Sequence, residues 1–327
     1  MKTRAKIAGI RSYFPEKRLT NAELEKMVDT TDQWIVERTG IKERRIGKAE
    51  ETAGTMGSEA AKSLLKDLKI SADQIDLLLC STVTGDYCFP ATVSVIQQEI
   101  GATKAWGFDL SAACSGYLYA LETARAFIES GHYKNVLVIS SEKMSSILDY
   151  QDRNTCILFG DAGTATLLQP SSKEDGILDA QMYLDGSGLP FLYMPAGGSK
   201  LPVSEETVKQ RQHYAFQDGK NVYKRAVVDM AEVSLEVLRR NHIASSEIRW
   251  FVPHQANLRI IESAANRLEL PMDRVALNIE RYGNTTSATI PSALQEKIEA
   301  GQAKAGDLIL MASFGAGFTW GATLLRL

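Results

Sequence analysis

Three side chains far apart in the sequence, Cys114, His254 and Asn284, are of the types that make a nucleophile with two hydrogen-bonding partners. Cys114 closes the run Asp109-Leu110-Ser111-Ala112-Ala113-Cys114 just ahead of a helix-periodic stretch. Free backbone N–H groups and the helix dipole there favour a thiolate and would bring a thiol pKa from about 8.5 toward neutrality. His254 follows the apolar Phe251-Val252-Pro253, at the carboxyl end of a strand, where open α/β sheets hold their ligands. Asn284 lies in a run of small residues, 283–288, before a second helix. Each has an ordinary alternative: a cysteine among alanines packs as a small hydrophobe, a histidine after a strand can be a satisfied core residue, and an asparagine can cap the helix that follows. Only their convergence on one site gives the three a common chemistry.

The elements that would bring them together repeat within the chain. Apolar segments 76–81 and 108–110 read as strands, followed by small residues 111–116 and a helix carried by Leu118, Leu121, Ala124, Phe127 and Ile128. Gly131 stands where a left-handed C-cap belongs, and 135–140 reads as the next strand. The same order returns with 249–252, a strand-like 275–279, the small-residue run 283–288, a helix and the strand 307–313. The helix ends Ile128-Glu129-Ser130-Gly131 and Ile298-Glu299-Ala300-Gly301 lie 170 positions apart, a spacing that sets Cys114 against Asn284 and Thr84 against His254. Phe159-Gly160-Asp161-Ala162-Gly163 echoes Phe314-Gly315-Ala316-Gly317 at a shorter offset, so the first half carries an insertion near 141–157. The expectation is an internally duplicated α/β protein with halves 1–170 and 177–327, joined by the polar segment 171–176.

Composition narrows the class. The chain has 327 residues, 44% hydrophobic and 24% charged, an ordinary globular mixture. Its 37 basic against 40 acidic residues leave −3, which gives no global attraction to nucleic acid or anionic membrane, so any basic docking patch must be local. No apolar run is long enough for a membrane span or a signal h-region. Cysteines 80, 88, 114 and 156 form no CxxC pair, which argues against a metal knuckle or a disulfide framework and for a reducing cytoplasm. Cys80, Cys88 and Cys156 read as packing residues, and His132, His213 and His242 as solvated ones.

Asp109-Leu110-Ser111-Ala112-Ala113-Cys114-Ser115-Gly116, Val252-Pro253-His254-Gln255-Ala256-Asn257, Tyr282-Gly283-Asn284-Thr285 and Phe314-Gly315-Ala316-Gly317-Phe318-Thr319-Trp320-Gly321 resemble the motifs of 3-oxoacyl-[acyl-carrier-protein] synthase III. The stretch Trp34-Ile35-Val36-Glu37-Arg38-Thr39-Gly40-Ile41 is similar to the same family's coenzyme A entrance. The resemblance spans essentially the whole chain. It implies the thiolase fold, a five-layered αβαβα sandwich, and a homodimeric acyltransferase that opens fatty acid synthesis by decarboxylating condensation of an acyl-CoA with malonyl-acyl carrier protein. On that resemblance Cys114 would be acylated, the backbone N–H groups of Cys114 and Ala316 would form the oxyanion hole, and His254 and Asn284 would stabilise the enolate. Phe314 would crowd the malonyl carboxylate, and Phe89 would reach across the dimer to the partner's acyl pocket. Trp34 and Arg153 would sandwich the adenine, with Arg38, Thr39 and Asn257 along the pantetheine and phosphate path. Lys224, Arg259 and Arg267 would meet the carrier protein. No metal or cofactor is implied, acyl-CoA being a substrate.

The chain departs from the family at Ala316, where a third glycine is common, and at Asn266, where a basic residue often accompanies Arg267. Alanine there raises the question of a dihedral that only glycine tolerates. Papain-like hydrolases also use Cys, His and Asn, but with the nucleophile near the mature N-terminus and with disulfides. Elongating ketoacyl synthases use two histidines. Polyketide-type synthases with Cys, His and Asn, and a non-catalytic acyl-binding module, remain as alternatives.

Overall fold

The computed structural model describes residues 3–171 and 174–327, so Ser172 and Lys173 of the expected linker lie outside the described residues. One sheet contains β1 (Arg4–Tyr13), β2 (Leu77–Ser81), β3 (Trp106–Leu110), β4 (Val136–Glu142) and β5 (Ala162–Ser171), in the order β1-β5-β4-β2-β3. The other contains β6 (Gly176–Leu184), β7 (Trp250–Pro253), β8 (Leu308–Gly315) and β9 (Thr319–Arg326), in the order β7-β8-β9-β6. The pairings correspond in sense. β2 runs parallel to β4 as β7 does to β8, and the two strands beyond are antiparallel in each sheet.

Alternation along the strands builds the layers. The helices of eight residues or more are α1 (Asp32–Thr39), α2 (Ala53–Leu68), α3 (Thr92–Ile100), α4 (Gly116–Glu129), α5 (Gly219–Arg240), α6 (Leu258–Arg267) and α7 (Thr289–Glu299). Leu77, Leu79, Val136 and Val138 share one core with Leu118 and Leu121 of α4, Ile290 and Leu294 of α7, and Ile309 and Met311 of the second sheet. Their neighbours Leu78, Cys80, Leu137 and Ile139 pack outward on Leu64 of α2 and Ile96 of α3. Leu310 and Ala312 pack outward on Met230 of α5 and Ile261 of α6. The layer order is therefore αβαβα, with α4 and α7 as the central layer. Because α4 is enclosed by both sheets, Tyr117, Leu118, Ala120, Leu121, Ala124 and Ile128 are all fully buried.

The expected strands at 76–81, 108–110, 135–140, 249–252 and 307–313 are present, and Gly131 and Gly301 end their helices at φ 83° and 65°. The strand expected over 275–279 is not. Val275 makes one isolated bridge to Phe251, and Ile279–Tyr282 is a helical turn. The Gln255 side chain takes the backbone groups that a strand would pair, donating to the carbonyls of Pro253 and Ala276 and accepting from Asn278 N–H. The 170-residue register also drifts. It holds at the helix ends Glu129 and Glu299, but α4 starts at Gly116 and α7 at Thr289, so the turns leading into them match at a different offset. Ala113 and Thr286, the first residues of those turns, both adopt left-handed φ, 47° and 54°. The extra segment of the first half lies between β4 and β5, at residues 143–161, where the second half has only 316–318 between β8 and β9.

At Gly163, on β5, the backbone of α2 rests directly on the sheet. A Cβ there would lie 2.4 Å from the Met56 carbonyl carbon and 2.5 Å from its oxygen. Gly163→Ala should therefore cost about 1–3 kcal/mol by overpacking. An unchanged urea midpoint would show that α2 does not rest on the backbone of β5.

Candidate active site

Cys114 sits in a tight turn, Ala113–Ser115, between β3 and α4. Left-handed φ at a non-glycine residue costs on the order of 1–2 kcal/mol, and the interior holds Ala113 in it. The Ser313 hydroxyl donates to the Cys114 carbonyl at 2.8 Å and the Thr319 hydroxyl to the Ala112 carbonyl at 3.0 Å. Gly315 lies against the Cys114 backbone, where a Cβ would come within 2.8 Å of its nitrogen. Ala316 is not among the residues with positive φ, so alanine needs no strained backbone there; Gly317, at φ 138°, takes that conformation instead.

His254 follows β7, and its backbone N–H is held by the Ala312 carbonyl. Its Nδ1 lies 2.7 Å from the Thr289 hydroxyl, and its Nε2 is buried without a partner. Asn284 is fixed by the first half's extra segment: its N–H donates to the Leu158 carbonyl at 2.8 Å, and its own carbonyl accepts from Gly160 N–H at 3.1 Å. Gly283, at φ 64°, permits this crossing, since a Cβ would meet the Leu158 oxygen at 2.7 Å. The Asn284 Oδ1 accepts from Thr286 N–H at 2.8 Å, which leaves its amide hydrogens as the free donors.

Cys114, His254 and Asn284, with exposures of 7%, 3% and 5%, line one cavity of about 690 Å³. Its walls include Ile157, Val222, Ala226, Met230 and Phe314, and its mouth is set by Trp34 with the exposed Arg38 and Arg259. Thr39 and Asn257 also line it. Their polar side chains are engaged locally: the Thr39 hydroxyl donates to the Ile35 carbonyl, and the Asn257 carboxamide caps α6 through Arg259 N–H.

The other expected residues lie outside the cavity lining. Arg153 is an outer neighbour of Trp34, its guanidinium 5.2 Å from the ring centroid, while Arg38 approaches the same ring at 4.6 Å. A base stacked on that face of Trp34 must displace the Arg153 guanidinium. Phe89 is 86% exposed and does not line its own chain's nucleophile pocket. Arg259 and Arg267 share a shallow depression with Tyr223, Glu262, Ser263 and Asn266; Lys224 is exposed beside Tyr223. Cys80 and Cys156 are buried as expected, whereas Cys88 is exposed.

Electrostatically the closed site favours neutral groups. Burial, reinforced by the Glu142 carboxylate, pushes the Cys114 thiol up to about 12, opposite to the lowering expected from the helix N-terminus. Burial also pulls His254 down to about 3, so its imidazole is neutral. Glu142 itself escaped the sequence reading, although an acidic residue ending an apolar strand was a visible signal. It is fully buried and accepts from the Thr84 hydroxyl at 2.7 Å, Val83 N–H at 3.0 Å, the Thr82 hydroxyl at 3.2 Å and the Ser287 hydroxyl at 3.1 Å. It thus ties the loop after β2 to the turn following Asn284. Among the described residues no His, Cys, Asp and Glu cluster could hold a metal ion, and no helix is long and apolar enough to cross a membrane.

Burial raises the Glu142 carboxyl from 4.5 to about 7, with its hydrogen bonds opposing the shift. The folded state therefore binds this proton more tightly than the unfolded one. The associated stability is fully present below pH 4.5 and is lost as pH rises through 7. In Glu142→Gln that loss disappears, so the stability difference between variant and parent should move by about 3 kcal/mol in the variant's favour between pH 4.5 and 8. Urea titrations across that range giving a constant difference would contradict the assignment.

Comparison with known proteins agrees with this architecture. The chain matches the profile of 3-oxoacyl-[acyl-carrier-protein] synthase III over residues 108–186 and that of the family's C-terminal region over residues 238–327. It is 49% identical over 325 residues to the β-ketoacyl-[acyl-carrier-protein] synthase III of Koribacter versatilis, covering 99% of this chain and 98% of that protein. The crystal structure of 3-oxoacyl-[acyl-carrier-protein] synthase III from Aquifex aeolicus superposes with a TM-score of 0.91 at 44% identity, covering 99% of this chain and 100% of that one. The priming β-ketosynthase of a polyketide biosynthetic pathway superposes with the same TM-score, 0.91, at 35% identity, covering 99% and 96%. The fold is the thiolase fold. With about half of its residues shared along almost its full length, the chain belongs to the 3-oxoacyl-[acyl-carrier-protein] synthase III family.

Proposed function

We propose that this protein condenses a short acyl-CoA with malonyl-acyl carrier protein to give 3-oxoacyl-acyl carrier protein, carbon dioxide and CoA, the initiating step of fatty acid synthesis. The observation that carries the reading is the joint opening of Cys114, His254 and Asn284 into one cavity whose mouth bears Trp34, Arg38 and Arg259. In the first half-reaction Cys114 sulfur attacks the thioester carbonyl, the backbone N–H groups of Cys114 and Ala316 stabilise the oxyanion, and CoA leaves. The raised thiol makes the thiolate a species formed during attack rather than a resting one. In the second, the malonyl thioester carbonyl lies against His254 Nε2–H and the Asn284 amide, which stabilise the enolate as carbon dioxide departs. The carbanion then attacks the acyl carbonyl, forming the carbon–carbon bond and expelling the Cys114 sulfur, which takes up a proton from solvent. Phe314, buried on the cavity wall, offers the malonyl carboxylate an apolar neighbour, against which a charge is poorly solvated.

Trp34, Arg38, Thr39, Arg153 and Asn257 would receive CoA, with Arg153 swinging off Trp34 to admit the adenine. Lys224, Arg259 and Arg267 would dock the acidic carrier protein, although Arg267 lies 3.7 Å from Glu232 and is partly neutralised. A homodimer is supported by β3, which closes its sheet with Trp106 at 47% exposure, and by the exposed Tyr87 and Phe89 on the loop after β2. The sheets' matching order supports a duplication with halves 1–170 and 177–327. A cytoplasmic location follows from the substrates.

The polyketide-type alternative has a structural relative in a priming β-ketosynthase, but at 35% identity against 44% and 49% for the synthase III relatives. Product mass after incubation with malonyl-acyl carrier protein and a panel of acyl-CoAs separates it from the main reading by the primer accepted.

Cys114→Ser should form no acyl-enzyme, while Asn284→Ala should lose about a hundredfold or more in malonyl decarboxylation and far less in acylation of Cys114. Intact mass after acetyl-CoA and release of carbon dioxide measure the two halves. An acylated Cys114→Ser protein, or equal losses in both halves for Asn284→Ala, would overturn the division of roles.

Arg259 lines the CoA path as well as the basic depression, so Lys224→Glu is the cleaner test of docking. It should raise KM for malonyl-acyl carrier protein and flatten its salt dependence, leaving acylation by acetyl-CoA nearly unchanged. Steady-state kinetics at two ionic strengths decide, and equal effects on both substrates would remove Lys224 from the carrier-protein surface.

A further inference from the structure

The Thr289 hydroxyl has one hydrogen and two buried acceptors within reach. His254 Nδ1 lies at 2.7 Å and the Thr286 carbonyl oxygen at 3.1 Å. Thr289 is the first residue of α7 and is 1% exposed, so water does not compete for either contact. A threonine entering a helix commonly bonds back to the carbonyl three residues earlier, which would be the ordinary use of this side chain. If that bond held the hydrogen, Thr289 oxygen would accept from Nδ1–H, and His254 Nε2 would turn a lone pair toward the cavity. If the hydrogen points to Nδ1 instead, Nε2 carries the ring proton and faces the cavity as a donor.

The distances favour the second case, because 3.1 Å is beyond the ordinary reach of a hydroxyl donating to a carbonyl oxygen. Hydroxyl hydrogen bonds cluster near 2.7–2.8 Å, so the Nδ1 contact has the ordinary length and the carbonyl contact is the long one. Nε2 is buried with no partner inside the protein, as a group awaiting a ligand would be. It shares its cavity with Asn284, whose free atoms are donors.

We propose that Thr289 is a positioning residue whose hydroxyl, by donating to Nδ1, holds His254 in the Nε2–H tautomer. Because the imidazole is neutral, only one ring nitrogen carries hydrogen, and the neighbour of the other nitrogen decides which. The tautomer makes His254 and Asn284 a pair of donors to one oxygen; the opposite tautomer would set a lone pair against the developing enolate. This rests on the condensing reaction proposed above, but the tautomer itself is measurable without turnover.

The test combines ring-nitrogen NMR of ¹⁵N-histidine-labelled protein with the two half-reactions in Thr289→Val and Thr289→Ser. His254→Ala identifies the His254 signals. In the parent, His254 should show a protonated Nε2 and an unprotonated Nδ1. Thr289→Val, which keeps the shape and removes the hydroxyl, should populate the other tautomer and slow malonyl decarboxylation about tenfold to a hundredfold, with acylation of Cys114 within about threefold. Thr289→Ser should return both to near the parent. A parent His254 protonated at Nδ1 would overturn the proposal, whether or not Thr289→Val folds. Equal slowing of both half-reactions in Thr289→Val, or a Thr289→Ser protein as impaired as Thr289→Val, would show that Thr289 only packs. A parent that neither acylates nor decarboxylates would refute the condensing reaction, and a protonated Nε2 in that same protein would still support the role of Thr289.

Discussion

Irregular backbone in a protein interior is tolerated only if its peptide groups find partners, and at this seam hydroxyl groups reaching between the halves supply them. Ser313 donates to the Cys114 carbonyl, the Thr319 hydroxyl lies 3.0 Å from the carbonyls of both Ala112 and Ala316, the Ser115 hydroxyl donates to the Thr319 carbonyl at 3.1 Å, and that of Ser287 reaches across to the Glu142 carboxylate at 3.1 Å. Leu158 and Gly160 complete the exchange by pairing with the Asn284 backbone. A short side chain is needed because two backbones must approach closely and still leave a donor between them. The small-residue runs before α4 and α7 are the sequence form of that requirement.

The same buried seam explains the charge state of the site. A thiol held up, an imidazole held down and a carboxyl held up are three answers to one cause, burial among packed side chains. Hydroxyls and backbone N–H groups stabilise Glu142 as polar partners without bringing a counter-charge into the core. Such a site suits thioester exchange, in which charge develops on an oxygen and is met by fixed donors.

Much of this was legible in the chain. Apolar runs and helix spacing located strands and helices, the resemblance supplied their layering, and the motifs carrying Cys114, His254 and Asn284 named residues that do share a cavity. What sequence could not show were effects set by neighbours distant in the chain. Gln255 replaces strand bonding over 275–279 with side-chain bonds. The Cys114 thiol is governed by enclosure rather than by its helix, because both sheets close over the turn. Thr289 reads as an ordinary helix residue until His254, 35 positions earlier, is brought against it. Arg153 is near Trp34, as the motifs suggest, yet its guanidinium lies over the ring itself.

The hydroxyl of Thr319 has a consequence for synthesis. It holds the Ala112 carbonyl, 207 positions earlier, and it begins β9, the last strand of the chain. At ribosomal rates a nascent chain carries Cys114 for roughly 10–40 s before its turn can be locked. Until then β9 is missing from between β8 and β6, so the sheet over the outer side of the central layer is divided and the turn of Cys114 lacks the contact from Thr319. A chain broken off ahead of β9 would contain all three reactive side chains without the strand that joins β8 to β6 and reaches the nucleophile's turn, so the residues of the chemistry and the frame that sets them are completed at different moments of synthesis.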